Sequence, residues 1–376
     1  MSNIELTEEQ QEAVDAIAEW AAGNGNEISL GGYAGTGKTT IIRYLVEGIA
    51  AKAVVLTPTG KAACVLRSKG IDADTIHSFI YRCVGEVEKK NGEMKPVFER
   101  KEAEEVLFRG IIIVDEASMV NQEMANDLRS LDLGFRIIWV GDHGQLPPVG
   151  GDPGIMRSPN IVLTTIHRQA EKSPIIRLAH RVRAGEPFGR LRSPDESVVF
   201  VENAKSANKI VDVSIRCELD TVLVGMNSVR HDVNAEYRER IGFHDPLCVG
   251  DKVICLLNNR KLDIFNGQTF KITELGEVST WGGMPWEQDA TIHDGEREVD
   301  VRILLTRLGK QSSRDDENRS RDACLFDYAY AITVHKSQGS EWNRVGLVDC
   351  YSSIWENNRW RYTGVTRAKD RLVVFR

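Results

Sequence analysis

Short apolar runs rich in β-branched residues punctuate the chain: EISL (27–30), AVVLTP (53–58), GIIIVDEA (110–117), FRIIWVGD (135–142) and NIVLTT (160–165). Stretches with helical spacing of apolar positions lie between them. Residues 7–21 read as the first helix, with Thr7 as N-cap and Gln10 at the capping-box offset. Short buried strands alternating with helices predict a parallel sheet covered on both faces. One segment breaks the alternation. IYRCVGEVEKKNGEMKPVFER (80–100) reads as two extended pieces around Asn91-Gly92, a hairpin inserted at about 81–101. After SPNIVLTTIHRQ the α/β pattern restarts with DTVLVGMNSVRHDVNAEYRERIG (220–242), RVGLVDC (344–350) and RLVVF (371–375). Between these, over about 246–325, short strands with Gly and Asn-Gly turns predict a small β-barrel inserted in a second α/β domain. GKQSSRDDENRSRD (309–322) is charged and polar and reads as a mobile connector.

The first chemistry lies just after EISL. From Gly32 to Gly37-Lys38-Thr39 the spacing is G-x-x-x-x-G-K-T, the phosphate-binding loop pattern, set between a strand and a helix. Its glycines let the backbone N–H groups of Gly32, Ala34, Gly35, Thr36 and Gly37 turn inward around phosphate oxygens. Lys38 can reach the β- and γ-phosphates, and the Thr39 hydroxyl suits Mg²⁺. The helix starting at Lys38, with Thr39 and Thr40 in its first turn, offers its positive end to the same anion. The ligand is therefore a nucleoside triphosphate. GIIIVDEASM ends a strand on Asp115, suited to Mg²⁺, and Glu116, suited to act as general base on water. FRIIWVGDHGQLPPVG places Gln145 after another strand, where an amide can hydrogen-bond a γ-phosphate or the attacking water. TIHRQ supplies Arg168, and WRYTGVTRAKDRLVVF supplies Arg367 just before the last strand. An arginine there can stabilise charge on a transferring phosphoryl group.

A second kind of chemistry sits at other strand ends. Thr57, Pro58, Thr59 and Lys61 bring hydroxyls, N–H groups and a cation together, and Thr333, His335, Lys336 and Ser337 do the same. His77 follows a similar small polar turn. Such groups fit phosphodiester contacts that need no base reading.

Composition narrows the classes without choosing among them. The chain has 376 residues, 41% hydrophobic and 27% charged, enough for two or three domains. No apolar run approaches the ~20 residues that span a bilayer. MSNIELTEEQ is too acidic and polar for a signal peptide. Seven cysteines without a C-x-x-C pair argue against a zinc site and fit a reducing cytoplasm. A net charge of −7 excludes a surface coated in phosphate-binding charge but not a local groove.

In order along the chain, LTEEQ, GGYAGTGKTT, TPTGKAA, TIHSF, VDEASM, GDHGQLPPV, ITVHKSQGSEW and YTGVTRAK resemble the successive motifs of the superfamily 1 helicases. The resemblance is to the branch containing RecD and phage Dda (superfamily 1B), and it covers nearly the whole chain. VHKSQG and YTGVTRA carry it most specifically, since a generic phosphate-loop ATPase has neither. The resemblance implies a P-loop NTPase with two RecA-like domains in tandem, at 1–160 and 161–376, with a cleft between them. The hairpin would be the family's strand-separating pin and the 246–325 segment its SH3-like insertion. It implies an adenine-reading role for Gln10 and a ribose or nucleotide-edge role for Glu341. It also implies phosphate or metal roles for Lys38, Thr39, Asp115, Glu116, Gln145, Arg168 and Arg367, and DNA contacts from Thr57, Thr59, His77, Thr333, His335 and Lys336. The implied activity is ATP- and Mg²⁺-dependent 5′→3′ translocation on single-stranded DNA with unwinding of fork or tailed duplexes. A monomer is expected, with a single-strand-binding or replication/recombination protein as a candidate partner. Because no further N-terminal domain precedes the first motif, a stand-alone enzyme is expected. A single-strand-stimulated ATPase that remodels protein–DNA complexes is the alternative. A small-molecule kinase leaves VHKSQG and YTGVTRA unexplained.

Overall fold

The structure, a computed structural model, describes the chain apart from residues 1–5, 49–52, 89–93, 103, 104, 107, 109, 132, 133, 135, 149–153, 167–171, 190–192, 260 and 311–322. The Asn91-Gly92 turn, Arg168 and most of the 309–322 connector lie outside the described residues. The chain divides into two compact units. The first comprises Met1–Gly85, Pro96–Phe188 and Ile354–Thr366; the second comprises Glu86–Lys95, Gly189–Ser353 and Arg367–Arg376. One change of unit falls at 188/189, where the resemblance implied a domain boundary at 160/161. The late segment 354–366 also packs with the first unit, a long-range return that no local pattern announces.

In the first unit, helix α1 (Glu8–Ala22) opens on the expected capping box: Gln10 N donates to Thr7 Oγ1 and Thr7 N to Gln10 Oε1. The strands are β1 (Glu27–Gly32), β2 (Ala53–Thr57), β3 (Ala73–Thr75), β6 (Ile111–Val114), β7 (Arg136–Gly141) and β8 (Ile161–Leu163). They form one parallel sheet in the order β3-β2-β6-β7-β1-β8. All four β6 positions are buried, as a sheet covered on both faces requires. Alternate residues feed two cores. Ile111 and Ile113 join Ile17, Ile41 and Leu45 of α1 and α2 (Lys38–Gly48) on one face. Ile112 and Val114 join Ile76, Ile80, Leu128 and Trp139 on the other. Each such isoleucine contributes about 1.5–3 kcal/mol by leaving water. Register sets the chemistry: Gly31 pairs with Gly141, Val114 with Trp139 and Leu56 with Val114. The C-terminal ends of β1, β7, β6 and β2 therefore lie side by side, where α/β sheets bind ligands. Strands β4 (Tyr81–Glu88) and β5 (Met94–Arg100) form a separate two-stranded sheet in the segment read as a hairpin, whose turn lies outside the described residues.

The second unit holds a five-stranded parallel sheet in the order β17-β10-β18-β19-β9. Its strands are Ala331–Thr333, Thr221–Val224, Trp342–Val348, Ala368–Phe375 and Val198–Val201 respectively. Six further strands form their own sheet in the order β15-β14-β13-β12-β11-β16, antiparallel except between β14 and β15. They run from β11 (Lys252–Cys255) through β12 (Thr269–Trp281), β13 (Met284–His293), β14 (Glu298–Leu304) and β15 (Ala323–Cys324) to β16 (Phe326–Tyr328). This sheet reaches past the expected 325 because β16 pairs with β11. Gly282 and Gly283, at φ 58° and 80°, make the β12–β13 turn. Two consecutive left-handed residues suit a tight hairpin. Helix Asn227–Arg240 is tied to this sheet by buried ion pairs, Arg238 to Asp251 at 2.9 Å and Arg230 to Asp327. Among the described residues no helix is long and apolar enough to cross a membrane.

Candidate active site and nucleic-acid interface

The phosphate loop joins β1 to α2. Gly35 and Gly37 have φ of 83° and 79°, a conformation glycine alone adopts without cost. A Cβ on Gly32 would stand 2.7 Å from Thr36 Oγ1 and 3.1 Å from Lys38 Cγ, so the loop closes only over glycine. Thr36 is buried and its hydroxyl donates to Tyr33 O at 2.8 Å. Lys38 Nζ turns into the loop and donates to Gly32 O at 2.7 Å and Tyr33 O at 3.1 Å. Thr39 and Thr40 are half-buried in the first turn of α2. Gln10 is buried and its Nε2 donates to Thr36 O at 3.0 Å. It thereby ties α1 to the loop.

The acidic pair follows β6. Asp115 N donates to Leu56 O at 2.9 Å, which fixes the strand end. Burial pushes the Asp115 carboxyl pKa up, while the Lys38 charge pulls it down. Glu116 sits at φ 54°, ψ 35°, left-handed backbone that costs a non-glycine residue on the order of 1–3 kcal/mol. After β7, Gln145 is buried, with Nε2 3.3 Å from Asp142 Oδ2 and Oε1 without a partner among the described residues.

These groups are joined by residues that sequence reasoning passed over. Tyr362, fully buried on helix Asn357–Val365, donates to Asp142 Oδ2 at 2.7 Å and accepts from Ala34 N of the phosphate loop at 2.9 Å. Burial, and next the Asp142 carboxylate, push its phenol pKa well up. Thr363 Oγ1 accepts from Leu146 N at 2.9 Å, and Arg359 donates to Gln145 O at 3.3 Å. Tyr33 lies under the Arg183 guanidinium, 3.1 Å from its ring centroid, and its hydroxyl is 2.5 Å from His143 Nε2. YTGVTRA pointed to Arg367 rather than Tyr362. A tyrosine in a helix reads as packing until its hydroxyl partners are visible.

In the second unit, Arg367 is buried and donates to Ser340 O at 3.1 Å. Glu341 is half-exposed and 3.5 Å from Lys369. Among the residues read as nucleic-acid contacts, Thr57 is fully buried, with its hydroxyl 2.9 Å from Thr59 O. Thr59 caps the next helix, accepting from Ala62 N at 3.3 Å, and Pro58 and Lys61 flank it half-buried. His77 packs against Tyr81 and Phe98, each ring centroid 4.7 Å away. Thr333 Oγ1 accepts from Lys336 N at 3.3 Å. His335 is half-buried, which lowers its pKa. Lys336 is exposed, yet desolvation and then the Arg230 charge lower its ammonium pKa.

A family model described as an AAA domain matches residues 5–197, and one described as a UvrD-like helicase C-terminal domain matches residues 328–375. An ATP-dependent RecD2 DNA helicase of Deinococcus radiodurans is 28% identical over 397 residues; the alignment spans 98% of this chain but only 48% of that protein. An ATP-dependent DNA helicase Pif1 of Bdellovibrio bacteriovorus is 31% identical over 412 residues, covering 98% of this chain and 86% of that one. Among solved structures, a Pif1 helicase from Bacteroides in complex with ADP-AlF3 and ssDNA shares the fold with a TM-score of 0.62 at 20% identity, over 98% of this chain and 92% of that one. With the first model matching just over half of the chain and a relative matched over most of its length, the chain belongs to the superfamily 1B helicases, the group of RecD, Dda and Pif1.

Proposed function

We propose that this chain is an ATP-dependent DNA helicase that moves 5′→3′ on single-stranded DNA and unwinds duplex. The observation that carries the reading is the phosphate loop beside two strand ends bearing Asp115-Glu116 and Gln145. Lys38 is held at the loop mouth by two carbonyls, weak partners that a triphosphate oxygen would outcompete by charge. The glycine-only closure at Gly32 fits a cradle for phosphate. Thr39, in the first turn of α2, and Asp115, at the end of β6, are both hard-oxygen donors. They would hold Mg²⁺, which supplies charge neutralisation to the β- and γ-phosphates. Gln10 would act on the nucleotide chiefly through the loop it braces.

Glu116 takes a proton from water, and Gln145 orients that water. Arg168 and Arg367 are the cations proposed for charge on the transferring phosphoryl group, and Glu341 the proposed contact to the nucleotide's edge. The strand is gripped through its phosphates by Lys61, His77, His335 and Lys336, with backbone N–H groups of the Thr57–Thr59 and Thr333–Ser337 turns. Grip of this kind tolerates any sequence. Cycles of hydrolysis coupled to alternate grip by the two units would advance the DNA, and the β4–β5 hairpin would part the strands.

ATP turnover with and without single-stranded DNA, then unwinding of duplexes carrying a 5′ or a 3′ tail, tests this reading. Stimulated turnover with unwinding of the 5′-tailed duplex is expected. Unwinding of only the 3′-tailed duplex would refute the polarity. Stimulated turnover and displacement of a bound protein block without unwinding would make the chain a remodelling translocase.

A further inference from the structure

The loop after β7 contains an acceptor that the fold leaves unanswered. Gln145 is 5% exposed and its Oε1 has no hydrogen-bond partner among the described residues. Its other amide atom faces Asp142 Oδ2 at 3.3 Å. A carboxylate accepts and does not donate, so the end facing it must be the NH2, and the carbonyl must point elsewhere. Asp142 is fully buried and cannot swing aside. Gly144 N donates to its Oδ1 at 2.9 Å, and the Tyr362 hydroxyl donates to its Oδ2 at 2.7 Å. Tyr362 is pinned in turn, because its oxygen accepts from Ala34 N at 2.9 Å. A continuous chain of polar contacts thus runs from the phosphate loop through Tyr362 and Asp142 to the Gln145 amide.

Beyond the water-orienting role already proposed for Gln145, we infer that Asp142 and Tyr362 are positioning residues that set its amide with the carbonyl oxygen toward the water. This rests on the proposal that the chain hydrolyses ATP. A buried carbonyl oxygen needs a donor. Phosphate oxygens carry no proton to give it, whereas water has two. The end of β7 also packs on the turn after Glu116: a Cβ on Gly141 would stand 3.2 Å from Ala117 N and 3.0 Å from Ser118 N. With one water proton on Gln145 and the other toward Glu116, the oxygen's lone pair is left for phosphorus. The water oxygen then bonds to the γ-phosphorus, the bond from that phosphorus to the ADP oxygen breaks, and the proton passes to Glu116.

Asp142→Asn tests the orientation. It puts an NH2 where a carboxylate oxygen stood, so Gln145 turns its carbonyl inward and offers the water a donor instead. The expected result is a fall in kcat of about 100-fold, with ATP-analogue affinity and the DNA-binding curve nearly unchanged. Asp142→Asn/Gln145→Glu moves the charge by one side chain and restores an outward acceptor. It should regain about tenfold in kcat over Asp142→Asn, a rescue that a merely structural role would not give. Tyr362→Phe should lower kcat by about tenfold at saturating ATP. The inference is overturned if Asp142→Asn keeps wild-type kcat, or if the double variant is no faster than the single one. A wild type without ATP turnover would sink the ATPase reading and this inference together; an active wild type with an active Asp142→Asn sinks the inference alone.

Discussion

The two parallel sheets are built alike and finished differently. In the first unit the strand ends keep costly features. Glu116 holds a left-handed backbone, and Gln145 Oε1 and Ser118 Oγ are buried without partners among the described residues. In the second unit the corresponding polar groups are mostly tied to their own chain. Thr333 Oγ1 accepts from Lys336 N, Ser337 Oγ donates to Val334 O at 2.7 Å and Arg367 donates to Ser340 O, with Ser340 Oγ the exception. An unsatisfied buried polar atom costs on the order of 1–3 kcal/mol, as does strained backbone. A fold keeps such costs where a ligand offsets them. Asn203, after β9 of the second unit, also sits at φ 53°, so the contrast lies in the unanswered side-chain atoms, and it supports the proposed division of chemistry at the first set of strand ends and grip at the second.

Arg367 is the residue that could break this division, because it sits in the second unit and is proposed for chemistry. Arg367→Ala is expected to lower kcat by about 1,000-fold while ATP affinity changes little, since its contact would strengthen in the transition state. Steady-state turnover alongside direct nucleotide binding separates the two. Equal losses would make Arg367 a binding group and leave the division intact. Glu116→Gln sharpens the other side. Turnover should fall by about 100-fold or more, because an amide cannot take the proton. Glu116→Gly should be as inactive yet more stable by about 1 kcal/mol, read from denaturant midpoints, because glycine accepts the left-handed backbone. A Glu116→Gly protein no more stable than wild type would mean that the backbone there carries no strain.

Much of this was legible in the sequence, and what was not has a physical cause. β6 could be read because four consecutive aliphatic residues can only be buried on both faces. The positions of Lys38 and Glu116 shortly after strand ends could be read because each follows a short apolar run at a fixed spacing. Thr7 and Gln10 were legible as a cap, but not Gln10's bond to Thr36 O, which joins residues 26 apart in sequence. Tyr362 was invisible for the same reason, since its partners Ala34 and Asp142 lie 328 and 220 residues away. Thr57 reads from sequence as a group suited to phosphodiester contact; its hydroxyl lies 2.9 Å from Thr59 O, as a buried strand end satisfies its polar groups locally. The return of 354–366 to the first unit is set by packing between helices and leaves no periodic trace.

On the grip side the effects should be smaller. Single-strand affinity should fall with salt despite the acidic composition, and Lys336→Ala should reduce the slope of log K against log salt by about 0.7, one phosphate contact. An unchanged slope would remove Lys336 from the interface.

The smallest effect concerns two histidines placed after strand ends in the two units. Burial is the largest cause lowering the pKa of both His143 and His335; for His143, Lys38 and Arg359 add to it and Asp142 opposes it. The folded protein therefore protonates both less readily than the unfolded chain does. Unfolded histidine titrates near ~6.5. As pH falls below that value the unfolded chain takes up protons first, so stability declines until the folded pKa values are passed. Asp115, with its raised pKa, works in the opposite sense, losing stability as pH rises through its folded value. The histidine contribution is isolated by comparing thermal midpoints of wild type, His143→Asn and His335→Asn across this range; each variant should show a shallower acid decline. Ligands should then separate the two. A triphosphate on the loop brings negative charge towards His143 and favours its protonated form, so ATP should flatten the wild-type decline and have less left to flatten in His143→Asn. Single-stranded DNA should act in the same way through His335. If ATP flattens the profile of His143→Asn as much as that of the wild type, His143 does not sense the nucleotide, and the first unit's strand ends lose one of the features that set them apart.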